Sequence, residues 1–124
     1  MKVKKIDIGI KNLKDSLKDF ADTWKKLEKG KRVKKEEGIY FDSIDTMRSI
    51  LTNNRLLILK TIREQNPNSI YELAKLLRRD LKNVNQDLKL LYDIGLVTLE
   101  KLEENKKRVI PHVEYSKILL EIPV

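Results

Sequence analysis

The chain contains no cysteine, which excludes disulfides, thiolate metal sites, a cysteine nucleophile and thiol redox sensing. Glycine is scarce as well, and its 4 residues lie far apart, so no glycine-rich loop exists to cradle a phosphate. The only histidine, His112, has no carboxylate or cysteine at ligand spacing, and no metal or acid–base centre is expected around it. Serines are isolated, without a G-x-S-x-G elbow. Glu36 and Glu37, like Glu103 and Glu104, are adjacent pairs that suit exposed surface better than catalysis. Neither an enzyme nor a cofactor is expected. No apolar run is long enough to span a membrane and no signal peptide is visible, so the default expectation is a cytoplasmic protein.

What remains is charge and pattern. A chain of 124 residues with 40% hydrophobic content fits one small domain plus an appendage. The formal net charge of +8 favours a polyanionic partner. That signal is modest, because 37% of the residues are charged and both signs are spread along the chain.

The stretch from Ser69 to Val97, SIYELAKLLRRDLKNVNQDLKLLYDIGLV, carries most of the information. Pro67 ends a preceding helix, RLLILKTIREQ, which Thr52, Asn53 and Asn54 introduce and whose apolar Leu56, Leu57, Leu59 and Ile62, with Ile58 as a further candidate, are expected to cover the next two helices. Ser69 and Glu72 form a capping box, the serine oxygen accepting from the Glu72 amide and the glutamate reaching back to the Ser69 amide. Ile70, Leu73, Ala74 and Leu77 recur at helical spacing. Asp80 is placed to cap the next helix, in which Leu81, Val84, Leu88 and Leu91 share the apolar side. Gly95 then stands where a left-handed residue closes a helix, with Leu96 set for the accompanying apolar contact.

The opposite side of that second helix presents Lys82, Asn83, Asn85, Gln86 and Lys89. Amide side chains can read base edges bidentately, and lysine suits guanine or phosphate. Asparagines are mediocre helix formers to choose for solubility alone. Beyond it, Val97 to Leu99 and Val109 to Val113 read as two strands around a basic loop, with Pro111 implying that the second is an edge or is interrupted. Phosphate contacts are expected from Ser69, Tyr71, Arg78 and Arg79, and from Asn105, Lys106, Lys107 and Arg108 at the loop.

These residues resemble the helix-turn-helix of small winged-helix transcriptional regulators of archaea and bacteria, relatives of the MarR and ArsR superfamily. In that group a Ser-x-x-Glu-Leu-Ala helix precedes Arg-Asp-x-Lys-Asn-Val and then Gly-Leu-Val. Ser69, Glu72, Leu73, Ala74, Arg79, Asp80, Lys82, Asn83, Val84, Leu88, Leu91, Gly95, Leu96 and Val97 stand at the matching positions. The resemblance runs from Phe41 to about Ile122 and implies DNA binding, with Lys82, Asn83, Asn85 and Gln86 facing the groove. No ligand-, metal- or oxidant-sensing motif of those relatives can be matched.

The first third differs in texture. Ile6, Ile8 and Ile10 alternate as in a short strand, and Ile39 to Phe41 is a second one. Ile10, Leu13, Leu17, Phe20, Trp24 and Leu27 recur at spacings of three and four, a heptad stripe for packing along another helix. It is read as a dimerisation arm, ending near Gly30 before a basic run from Lys31 to Lys35, with packing onto its own domain as the alternative. Lys117 to Ile122 is also strand-like and can pair within the chain or across a dimer.

The expected fold is therefore α+β and mainly helical: a winged helix-turn-helix over residues 43–124, preceded by a strand-helix dimerisation arm over residues 1–42. The expected function is sequence-specific regulation of transcription, as a repressor, by a homodimer on double-stranded DNA. Helix 81–94 would enter the major groove and loop 103–108 would form the wing. Two rivals remain: a protein-interaction module, such as an antitoxin-like or assembly subunit that holds a protein partner through the amino-terminal helix, and a nonspecific nucleic-acid binder.

Overall fold

Capping residues and left-handed turns set the element boundaries along the chain. The computed structural model describes residues 5–11, 13–28, 38–102 and 108–124, with backbone alone at 13–16, 19, 23, 26 and 27. The architecture is α+β, and the described chain divides into two compact units, Lys5–Ser49 with Ile118–Val124, and Ile50–Lys117. The division falls after Ser49 rather than after residue 42, and the last strand joins the first unit.

In the first unit, β1 (Lys5–Ile10) lies parallel to β2 (Ile39–Phe41) in the register Ile8↔Ile39, Gly9↔Tyr40, Ile10↔Phe41. Gly9 lets the Tyr40 ring lie close: a Cβ here would fall 2.8 Å from its Cε1 and push the ring aside. The Lys11 ammonium sits 4.2 Å from the centroid of the same ring, a cation–π contact. Alternation in β1 turns Ile8 into the core beside Phe41 and Met47. Met47 belongs to α2 (Ile44–Ile50), a helix not foreseen, although Ser43 accepts from the Thr46 amide at 3.1 Å as an N-cap should.

Between the two parallel strands runs α1 (Leu13–Glu28), the expected arm. Of the expected stripe, Ile10 instead ends β1 and is partly buried opposite Phe41, whereas on the helix Leu17 is 61% exposed, Phe20 67% and Trp24 56%. The side chains of Leu13 and Leu27, and the run from 29 to 37, lie outside the described residues.

The second unit is built on α3 (Asn53–Gln65), α4 (Ile70–Leu77) and α5 (Leu81–Ile94). Thr52 caps α3 by accepting from the Arg55 amide, and Asn66 closes it in the left-handed region at φ 47°. Ile58, Leu59 and Ile62 of α3 meet Leu73 and Ala74 of α4 and Val84, Leu88 and Leu91 of α5 in one buried core, which Leu96 and Val97 complete. Each such aliphatic side chain contributes roughly 1.5–3 kcal/mol through burial. Leu56 and Leu57, expected in this core, are 40% and 48% exposed. One helix face spans fewer positions than the apolar run contains, so they turn outward.

Then β3 (Thr98–Leu102) and β4 (Arg108–His112) form an antiparallel ladder, with Thr98 opposite His112 and Leu102 opposite Arg108. Among the described strands β4 pairs only with β3, so Pro111 is tolerated there; its ring is buried. The last strand, β5 (Lys117–Glu121), lies beside β1 in the sheet order β2-β1-β5. No helix among the described residues is long and apolar enough to cross a membrane.

Candidate nucleic-acid interface

The link between α4 and α5 is short and strongly bonded. Ser69 Oγ accepts from the Glu72 amide at 3.0 Å, the expected first half of a capping box. The second half is shifted by one residue: Glu72 Oε2 accepts from the Asn68 amide at 3.1 Å, not from that of Ser69. Four residues span this pair, and the glutamate reaches the amide that points at it. Because the serine hydroxyl accepts the cap bond and is half-buried, Ser69 first serves the helix start.

Arg78 closes α4 with φ 54°, in the left-handed region, and its amide bonds to the carbonyls of Ala74 and Lys75. A side chain there costs roughly 1–2 kcal/mol because Cβ crowds the following carbonyl. The turn leaves the Arg78 side chain exposed. Asp80 takes the N-cap position of α5 in extended backbone, but its carboxylate makes no capping bond, contrary to the role expected for it.

Helix α5 then separates its two faces sharply. Val84, Leu88 and Leu91 are buried, whereas Lys82, Asn83, Asn85, Gln86 and Lys89 are all exposed. Lys82, Gln86 and Lys89 follow one another at i, i+4 and i+7 and form the outermost line, with Asn85 beside it and Asn83 at its flank. Leu81, expected in the core, is 39% exposed at the first turn. The position precedes the point at which the helix meets its neighbours, so its apolar side chain joins the outer end. At the far end, the Gly95 amide bonds to Tyr92 O at 3.1 Å and that of Leu96 to Leu91 O at 2.9 Å, the closure expected of a left-handed glycine.

What aims this face was not visible in the sequence. Asp87 of α5 accepts from Arg79 Nη2 at 2.9 Å and from Arg55 Nε at 3.1 Å. Arg55 Nη1 also donates to Ile50 O at 2.9 Å. One carboxylate thus ties α5 to the turn before it and to the start of α3, and all three side chains are mostly buried. Arg79, expected to contact phosphate, is turned inward onto Asp87, and its Nη1 is buried with no hydrogen-bond partner among the described residues. Charged residues at these positions read as surface because periodicity carries no information about partners in other elements.

On α4, Tyr71 is 59% exposed, and the Lys75 ammonium lies 4.6 Å from its ring centroid. The pair sits at i, i+4 and points outward. In the hairpin, Arg108 is exposed at the start of β4, whereas Asn105, Lys106 and Lys107 lie outside the described residues. Tyr115 Oη donates to Leu96 O at 2.8 Å and fastens the segment after β4 to the corner where α5 ends. Burial pushes the Tyr115 phenol up from its ordinary value near 10. His112 does meet a carboxylate: its Nε2 lies 2.8 Å from Glu100 Oε2 across the hairpin. Among the described residues no three His, Asp or Glu side chains converge as a metal site would require.

Comparison with known proteins places one result beside this geometry. The model of the HVO_A0114 family matches residues 50–120, the three helices and the hairpin together with most of β5. No curated protein and no solved structure matches.

Proposed function

The chain belongs to the HVO_A0114 family, and we propose that it is a sequence-specific regulator that binds double-stranded DNA as a homodimer. In this reading Asn53–Gln65, Ile70–Leu77 and Leu81–Ile94 are the three helices of a winged helix-turn-helix, with α5 in the major groove and the β3-β4 hairpin as the wing. Repression is the mode we assign to it. The observation that carries the reading is the outer face of α5, where Asn83, Asn85 and Gln86 stand exposed between Lys82 and Lys89. Amides and ammonium groups supply both the donors and the acceptors that base edges and phosphates need. The formal charge of +8 supplies the long-range attraction.

Tyr71, Arg78 and Arg108 are exposed and are assigned to phosphates, whereas Arg79 is assigned to bracing α5 through Asp87. The bare stripe of Leu17, Phe20 and Trp24 supports self-association, and no catalytic or cofactor role is proposed. A protein-interaction module draws support from that same stripe, because a bare aromatic patch also suits a different protein.

The test is selection of fragments from sheared genomic DNA, with affinities of the recovered sequences measured at low and physiological salt. A shared, two-fold symmetric site that survives physiological salt is the expected result. Uniform recovery that disappears with salt would overturn specificity and leave electrostatic binding alone.

A further inference from the structure

The described part of the first unit leaves much apolar surface uncovered. Among its described residues only Ile8, Phe41 and Met47 are buried apolar side chains, while Leu17, Phe20, Trp24, Leu119, Leu120 and Ile122 are exposed. Apolar side chains left exposed in this way gain by being covered, and association is one way to cover them. Strand β5 is the place where association can begin. It lies at the end of the order β2-β1-β5, so one edge bonds to β1 and the other meets no strand among the described residues. Leu119 and Leu120 are adjacent, hence on opposite faces, and both are exposed at 43% and 48%. Protected edges carry a mid-strand charge, a bulge or a proline. In β5 the charges are confined to the two ends, and Pro123 lies beyond the strand.

The order of those charges points to the occupant. We propose that β5 pairs antiparallel with β5 of a second copy about a two-fold axis at Leu119, joining the two sheets into one. The sequence Lys117-Ile118-Leu119-Leu120-Glu121 is self-complementary in that arrangement. Lys117 then stands opposite Glu121 of the second copy, Ile118 opposite Leu120, and Leu119 opposite itself, with each charged pair made twice. Parallel pairing would set lysine beside lysine and glutamate beside glutamate. The proposal rests on the homodimeric part of the function above and is independent of which DNA is bound.

Charge reversal on the full chain tests it. Sedimentation equilibrium at moderate salt should show Lys117→Glu and Glu121→Lys each weakening the dimer about tenfold, since each replaces two attractions by two repulsions. The double variant should return to within about threefold of the original, because the pairs are restored with their signs exchanged. Leu119→Cys provides a second readout in a chain that has no other cysteine. Directly opposed residues have Cα atoms about 4.5–5.5 Å apart, within disulfide reach, so mild oxidation should yield a covalent dimer. A dimer that neither reversal weakens and that Leu119→Cys does not cross-link would overturn this pairing and leave the dimeric regulator standing. A chain that remains monomeric at tens of micromolar would overturn both the pairing and the dimer, while the DNA selection above would still judge DNA binding on its own.

Discussion

Arg55 and Asp87, thirty-two residues apart in the chain, meet at 3.1 Å, and the same carboxylate holds Arg79 at 2.9 Å. The helix that presents Asn83, Asn85 and Gln86 is therefore oriented by an ion-paired bridge on its shielded side. Removing the shared carboxylate cuts both ties at once. Asp87→Ala should destabilise the fold by about 3 kcal/mol in chemical denaturation, because the largely buried Arg79 guanidinium loses its counter-charge and the tie between α5 and Arg55 is cut. Below the melting transition it should weaken binding to all DNA sequences alike, since the defect lies in aim and not in readout.

In the proposed function, readout falls to the outer face. Asn85→Ala and Gln86→Ala should leave the denaturation midpoint nearly unchanged, both residues being exposed. Each should cost about 1–3 kcal/mol of discrimination at one base pair, measured by titrating single-base variants of the selected site. Equal losses on every variant would assign these amides to the backbone instead.

If Arg78 contacts phosphate as proposed, it trades stability for binding. Its φ of 54° suits glycine better than arginine. Arg78→Gly should hold or raise stability within about 1 kcal/mol, as relief of crowding at Cβ offsets added freedom in the unfolded chain. The slope of log affinity against log salt should fall by about 0.9, the loss of one phosphate contact. An unchanged slope would remove Arg78 from the interface.

Burial separates two leucines that helical spacing treats alike. Leu88 is 1% exposed and Leu81 is 39% exposed. Leu88→Ala should cost about 2–5 kcal/mol through lost transfer energy and a residual cavity. Leu81→Ala should cost under about 1 kcal/mol by the same denaturation measurement.

Tyr115 makes stability depend on pH at the alkaline end. Burial raises its folded value above the ordinary value near 10, so the folded chain binds the phenolic proton more tightly than the unfolded chain. Its contribution is fully present below about pH 10 and declines as pH rises further, when only the unfolded state ionises readily. Tyr115→Phe should flatten that decline in thermal melts followed from pH 9 to 11. At neutral pH it should cost about 1 kcal/mol, the hydrogen bond to Leu96 O.

The three-helix region from α3 to α5 was legible in the sequence because its signals are local. Thr52, Ser69 and Gly95 act on amides and carbonyls within four residues, and the buried set Val84, Leu88 and Leu91 follows from the pitch of one helix. Helix α2 left a signal of the same kind in Ser43, too short to stand out without the packing of Met47. By itself, then, the sequence determined where α3, α4 and α5 begin and end, which side of α5 is polar and that thiol chemistry is impossible. Only tertiary structure decided that Arg79 faces Asp87, that Leu56, Leu57 and Leu81 turn outward, that Glu72 reaches Asn68, and that β5 takes the edge beside β1. Periodicity reports one element's own geometry, whereas which face is covered and which charge is paired depends on residues that the chain brings together from far apart.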